Sequence, residues 1–273
     1  MRIYQLIWMV LRTEIWKFGA LDFETHLNSE GKFICRAAAI AFRVKEGKVP
    51  NVKLKKIYLD MYTDEDYKLV GDSLVLEFIE KLFNNYSVNG YTFCAHNLGK
   101  FDGLLLVSAL TKNLNYKLKG VWKENKLIKL VVINQKLKSK TIFRDSLNLV
   151  NTSLENALNS FGCDINKGIL PYEFYNKSTL HYKGKLPNWN FYKKLSIYEY
   201  SNLLSNTKVF DAKLECLSYL KKDVLGLIEL IDKISGYFYN KFNYNITDRS
   251  TIPGVGNDNW GQKEYNQEMD LKL

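Results

Sequence analysis

Two carboxylates, Asp22 and Glu24, stand two residues apart in the stretch Leu21-Asp22-Phe23-Glu24-Thr25. An apolar run from Trp16 to Ala20, broken only by Lys17, precedes them. A turn-like segment from His26 to Lys32 follows, and a second apolar run spans Phe33 to Val44. This pattern predicts a strand, a turn and a partner strand. Side chains alternate along a strand, so Asp22 and Glu24 project from one face. Two acids on one face of a buried strand repel each other and lose hydration. A divalent cation beside them would relieve both costs.

Further acids occupy equally awkward places. Asp102 lies in Asn97-Leu98-Gly99-Lys100-Phe101-Asp102-Gly103, between a predicted strand and a predicted helix. The helix dipole tolerates a carboxylate there, and taken alone Asp102 is an ordinary N-terminal acid. Tyr219 and Asp223, four residues apart, share a helix face, and Leu220, Val224 and Leu227 flank it with an apolar stripe. An acid beside a core stripe is unusual unless it is paired or bound to metal. Asp22, Glu24, Asp102 and Asp223 together make an oxygen-rich set suited to Mg²⁺ or Mn²⁺. Two such ions about 3.5–4 Å apart would activate a water and stabilise the leaving oxygen of a phosphodiester. Tyr219, one turn from Asp223, is the group to orient that water.

The elements that must position these residues follow from periodicity. Strands are predicted at residues 54–59 and 91–95. A helix between them, over 73–83, has Asp72 as N-cap, and together these read as a β-α-β unit. A helix is expected over 101–110. Three strand-like pieces follow at 116–121, 127–132 and 141–143, with turns at Glu124-Asn125 and at 136–140. A short helix over 153–161 is capped by Thr152 or Ser153 and ended by Gly162. Residues 163–194 read as a long ordered loop, since they hold Phe174, Tyr175, Trp189 and Phe191. Short and long helical patterns follow at 197–204 and 211–238.

Composition narrows the partners. The chain has 273 residues and a formal net charge of +10. A polyanion such as nucleic acid is the natural partner, although charge alone fits a lysine-solubilised surface equally well. Cys35, Cys94, Cys163 and Cys216 include no C-x-x-C pair, which argues against zinc-finger spacing and a disulfide framework. No apolar run approaches the roughly 20 residues needed to span a membrane, so no membrane role is expected. Met1 to Val10 is at best a weak signal peptide.

Asp22-x-Glu24, Asn97-x-x-x-Phe101-Asp102 and Tyr219-x-x-x-Asp223 resemble the three exonuclease motifs of DNA polymerases, in the expected order. The resemblance is to protein-primed family B DNA polymerases, those of linear mitochondrial plasmids and certain phages. Thr25, the Ser146-Leu147 pair and the segment Lys167 to Phe174 are similar to further motifs of that family. The resemblance covers roughly residues 16 to 252 and implies an α/β fold of the ribonuclease H-like (DnaQ-like) type. That fold has a mixed central sheet flanked by helices, here with a β-hairpin excursion near residues 116–145.

The resemblance implies a two-metal 3′→5′ exonuclease of proofreading type. Asp22, Glu24, Asp102 and Asp223 would hold two Mg²⁺ or Mn²⁺ ions. Tyr219 would position the water, and Lys167 would stabilise charge near the scissile phosphate. Thr25, Asn97, Phe101, Ser146 and Leu147 would hold the 3′ end of single-stranded DNA. Blander roles fit as well: Thr25 is a good strand residue, Ser146 suits a turn, Phe101 suits a core, and Lys167 is one lysine among many. The alternatives are a remnant that binds single-stranded nucleic acid without cutting usefully, and an RNA-trimming 3′→5′ exonuclease.

Polymerase motifs of the S-L-Y-P-S and Y-x-D-T-D kinds do not occur. The exonuclease part alone is therefore expected: residues 1–15 as an extension, 16–245 as the exonuclease domain, and 246–273 as a tail. Implied partners are a separate polymerase fragment or a terminal protein, and the implied location is the mitochondrion.

Overall fold

The structure is a computed structural model that describes residues 17–46, 49–59 and 67–242. The expected extension (1–15) and tail (246–273) lie outside the described residues. Strands β1 (Phe18–Leu27), β2 (Phe33–Glu46) and β3 (Val49–Tyr58) form an antiparallel meander. Helix α1 (Tyr67–Asn85) then leads to β4 (Thr92–Ala95), which lies parallel to β1. Helix α2 (Asp102–Leu110) leads to β5 (Tyr116–Lys123), β6 (Lys126–Asn134) and β7 (Ser139–Asp145). The sheet order is β3-β2-β1-β4-β7-β6-β5, with β7 parallel to β4 and β5–β6–β7 antiparallel. This is the expected mixed central sheet flanked by helices. The hairpin strands continue the sheet itself, and β5 forms its far edge.

β2 shows why the sheet lies in the middle. Every residue from Cys35 to Phe42 is buried, and successive side chains point to opposite faces, so both faces are covered. Helix α1 packs on β2 and on α2, and the long C-terminal helix packs on β1 and β2. The small side chains of Ala37, Ala38, Ala39 and Ala41 leave room for that close packing.

Two expectations change. Strands β3 and β4 are not neighbours, because β2 and β1 lie between them. Asp72 does not cap a helix: α1 begins at Tyr67 and Asp72 lies inside it. Its carboxylate accepts from the Ser108 hydroxyl at 3.0 Å and pairs with Lys112, tying α1 to α2.

After β7 come the short helices α3 (Leu147–Val150) and α4 (Leu154–Ser160). Ser153 caps α4 by accepting from the Asn156 N–H at 3.2 Å. The ordered loop is pinned by Phe174, whose ring meets Tyr175, Tyr182, Phe191 and Phe210 edge-on. Within and after it come β8 (Lys183–Gly184), α5 (Ile197–Asn206), β9 (Phe210–Asp211) and α6 (Ala212–Phe242). Asp211 starts α6 by accepting from the Leu214 N–H at 3.1 Å. Among the described residues, no helix is long and apolar enough to cross a membrane.

Candidate active site

The parallel strands β1, β4 and β7 point their C-terminal ends the same way, which is where open α/β sheets place their ligand crevices. A cavity of about 750 Å³ opens there. Asp22, Glu24, Asp102, Asp223, Tyr219 and Lys167 all line it, from four separate segments of the chain.

β1 supplies Asp22 and Glu24 on one face, as alternation requires. The β1–β2 register slips at this point: Glu24 pairs with Ala37 and Thr25 with Cys35, so Arg36 on β2 is the unpaired extra residue. Such a bulge re-aims a side chain. The Arg36 guanidinium, fully buried, reaches Glu24 Oε2 at 3.0 Å and the Thr25 carbonyl, and lies 4.1 Å from the centre of the Tyr175 ring.

Asp102 opens α2, where the helix dipole favours a carboxylate. β1 pairs with β4 only over Phe18 to Ala20, which leaves the Phe23 N–H for Asp102 Oδ1, at 3.1 Å. On α6, Asp223 and Tyr219 are one turn apart and both buried. The Lys167 ammonium is 3.2 Å from Asp223 Oδ2, whereas Asp223 Oδ1 is buried without a hydrogen-bond partner. The loop carrying Lys167 can come this close because of Gly168: a Cβ there would sit 3.0 Å from the Tyr219 ring. The Tyr172 hydroxyl donates to the Tyr219 hydroxyl.

The electrostatics of the acids are unfavourable in the way the sequence implied. Burial, then Asp223, Asp102 and Glu24, push Asp22 well above the usual carboxylate range. Burial raises Glu24 to about 7 against the pull of Arg36. Burial also raises Asp102 to about 7 against the pull of the Phe23 N–H. Asp223 is raised by burial and held back by Lys167. Burial, with Asp223 beside it, lifts the Tyr219 hydroxyl and keeps it a neutral donor.

Among the described residues, no three His, Cys, Asp or Glu side chains close into a cage around one point. Each of three acids instead holds a protein partner of its own: Arg36, the Phe23 N–H or Lys167. The donor chemistry nevertheless suits a hard divalent cation. All four groups are carboxylates lining one cavity, three of them raise the pKa of the fourth, and a buried oxygen of Asp223 lacks a partner.

Thr25, Asn97 and Phe101, expected to hold a strand end, also line the cavity. Ser146 and Leu147 do not. Ser146 is fully buried, with its hydroxyl 3.1 Å from His96 Nδ1 and 3.3 Å from the Ala95 carbonyl, so it acts on the wall through His96. Leu147 is half-buried behind the wall. Three site residues were not singled out from the sequence. Arg36 is a charge inside an apolar strand run, the same signal that drew attention to the acids. Tyr172 lies inside the segment quoted for Lys167. Asp145 ends β7 and receives the N–H groups of Asn97 at 2.9 Å, Gly99 at 3.0 Å and Leu147 at 2.9 Å. It thereby holds Asn97, at a φ of 72°, in the left-handed region.

Residues 82–271 match the family described as DNA polymerase type B, organellar and viral. A probable DNA polymerase of Agaricus bitorquis is 33% identical over 269 residues, covering 94% of this chain and 32% of that protein. One of Podospora anserina is 32% identical over 147 residues, covering 50% of this chain and 12% of its own length. Among solved structures, phi29 DNA polymerase complexed with single-stranded DNA gives a TM-score of 0.46 at 16% identity, over 80% of this chain and 32% of that one. The chain thus spans about a third of the Agaricus relative and less of the Podospora one. With the family matched across most of its length, the chain belongs to the organellar and viral type B DNA polymerases.

Proposed function

We propose that this chain carries the 3′→5′ exonuclease function of its family, removing nucleotides from the 3′ end of single-stranded DNA. One observation supports this above the rest: four acids from three elements, with Tyr219 and Lys167, line a single cavity at the ends of the parallel strands. Divalent cations held by Asp22, Glu24, Asp102 and Asp223 would supply an activated water and stabilise the leaving oxygen. Tyr219, a neutral phenol hydrogen-bonded by Tyr172, offers its hydroxyl to orient the water. Lys167, already beside Asp223, supplies positive charge where the phosphate must sit. Phe101 and Thr25 on the wall hold the terminal nucleotide, and Asp145 fixes Asn97 for the same purpose.

The test is digestion of 5′-labelled single-stranded oligonucleotides by the purified chain with Mg²⁺ or Mn²⁺. The expected result is a ladder shortened from the 3′ end. Asp22→Ala/Glu24→Ala should lower the rate at least about 10³-fold, since it removes half of the acid set. Undiminished cleavage by that variant would overturn the proposal. Salt-sensitive binding without metal-stimulated cleavage would leave a binding remnant, and faster loss of ribonucleotides than deoxyribonucleotides would leave an RNA-trimming enzyme. The mitochondrion is the proposed location, on the resemblance to plasmid polymerases, and cell fractionation checks it.

A further inference from the structure

The tip of the β1–β2 hairpin carries an apolar pair that the fold does not use. Leu27 and Phe33 face each other across the two strands, and cross-strand partners project from one face. They are 50% and 59% exposed, and neither belongs to the hydrophobic core. The turn between them is held without their help. Asn28 Oδ1 accepts from the N–H groups of Glu30 at 3.1 Å and Lys32 at 2.8 Å, and Gly31 takes the left-handed conformation. An exposed apolar cluster that contributes nothing to the core marks a contact surface.

Its surroundings identify the contact. Phe33 meets Phe101 edge-to-face, with ring centres 5.4 Å apart at 71°. Phe101 is itself 44% exposed. Leu27, Phe33 and Phe101 line the same cavity as Asp22, Glu24 and Asp102. In an edge-to-face pair, the ring presenting its edge keeps both of its faces clear of its partner. An apolar shelf with an open aromatic face, continuous with a phosphodiester-cleaving floor on a chain of net charge +10, matches the mixed chemistry of a single strand: π-faced bases on an anionic backbone.

We propose that Phe33, backed by Leu27, stacks against an unpaired nucleobase next to the 3′ end, extending the surface begun by Phe101. This rests on the exonuclease reading for the direction in which the strand enters. Its function is to grip: each stacked base holds the strand end over the acids, and a base paired in a duplex cannot present its face to the shelf.

The test uses the full chain in EDTA, so that binding is read without cleavage, and a single-stranded 12-mer carrying 2-aminopurine next to its 3′ end. The wild type should bind with a change in 2-aminopurine emission. Phe33→Ala should weaken binding about 5- to 100-fold and abolish that change. Phe33→Tyr should restore both, whereas Phe33→Leu, apolar without a π-face, should restore neither. Because Phe33 is exposed, the melting temperature of all three variants should match the wild type. Phe33→Ala binding as tightly as the wild type overturns the stacking role and leaves the exonuclease reading standing. Phe33→Leu binding as well as Phe33→Tyr overturns stacking in favour of plain apolar contact. A wild type that binds no oligonucleotide overturns both readings, and one that binds but never cleaves with metal overturns only the exonuclease.

Discussion

A guanidinium removed from water is costly unless its donors are answered, and Arg36 is answered on most sides, although its buried Nε has no hydrogen-bond partner among the described residues. Its partners come from three places: Glu24 and Thr25 on β1, the Tyr175 ring in the long loop, and Cys216 on α6. Replacing Arg36 by Met leaves the Glu24 carboxylate buried and unpaired. Urea denaturation should show a loss of about 3–5 kcal/mol, and adding Glu24→Gln should return much of it, because both halves of the pair are then neutral. The acids at this site were legible in the sequence because each interrupts an apolar pattern. Arg36 interrupts one too, but its partner was not legible. Which residue it meets depends on the bulge, and the bulge depends on how β2 slides along β1. Ser146 shows the converse. Its position in a motif was clear, but its burial behind His96 depends on how β7 and β4 end side by side.

At the scale of elements, β1 is squeezed as well as charged. A Cβ at Gly19 would lie 2.5 Å from Phe93 and 2.6 Å from the Ala41 carbonyl, and neither the backbone nor a fully buried ring can yield easily. Gly19→Ala should cost about 1–3 kcal/mol in chemical denaturation. It should also lower the proposed exonuclease activity, since any shift of β1 carries Asp22 and Glu24 with it. The elements themselves were mostly readable: the hairpin turn at Glu124-Asn125 is confirmed by positive φ at both residues, 48° and 61°. The start of α1 was not readable. Asp72-Ser73 has the local chemistry of a cap, but Ser108 and Lys112 satisfy that carboxylate from a neighbouring helix.

For the whole molecule, the acid cluster makes stability depend on pH. A carboxyl with a folded pKa above its unfolded value favours the folded state while protonated. For Glu24 and Asp102 that contribution is complete below about pH 4 and is lost as pH rises through about 7. In EDTA, the melting temperature should therefore gain less, or fall, between pH 5 and 7.5, and Asp102→Asn should flatten that slope. Adding Mg²⁺ or Mn²⁺ at pH 7.5 should raise the melting temperature of the wild type. A wild-type profile identical to that of Asp102→Asn would refute the coupling. The order of the strands was the least legible level, since β3 and β4 are successive in sequence and two strands apart in the sheet.

That order has a consequence for timing. Asp22 lies on the first described strand and Asp223 on the last described helix, so the cavity closes only after α6 docks on β1 and β2. A chain growing from its N-terminus would hold three mutually repelling carboxylates and no Tyr219 until α6 has been made. On the proposed reading, hydrolytic competence would then wait on the docking of α6, the last of the site-bearing elements to be made.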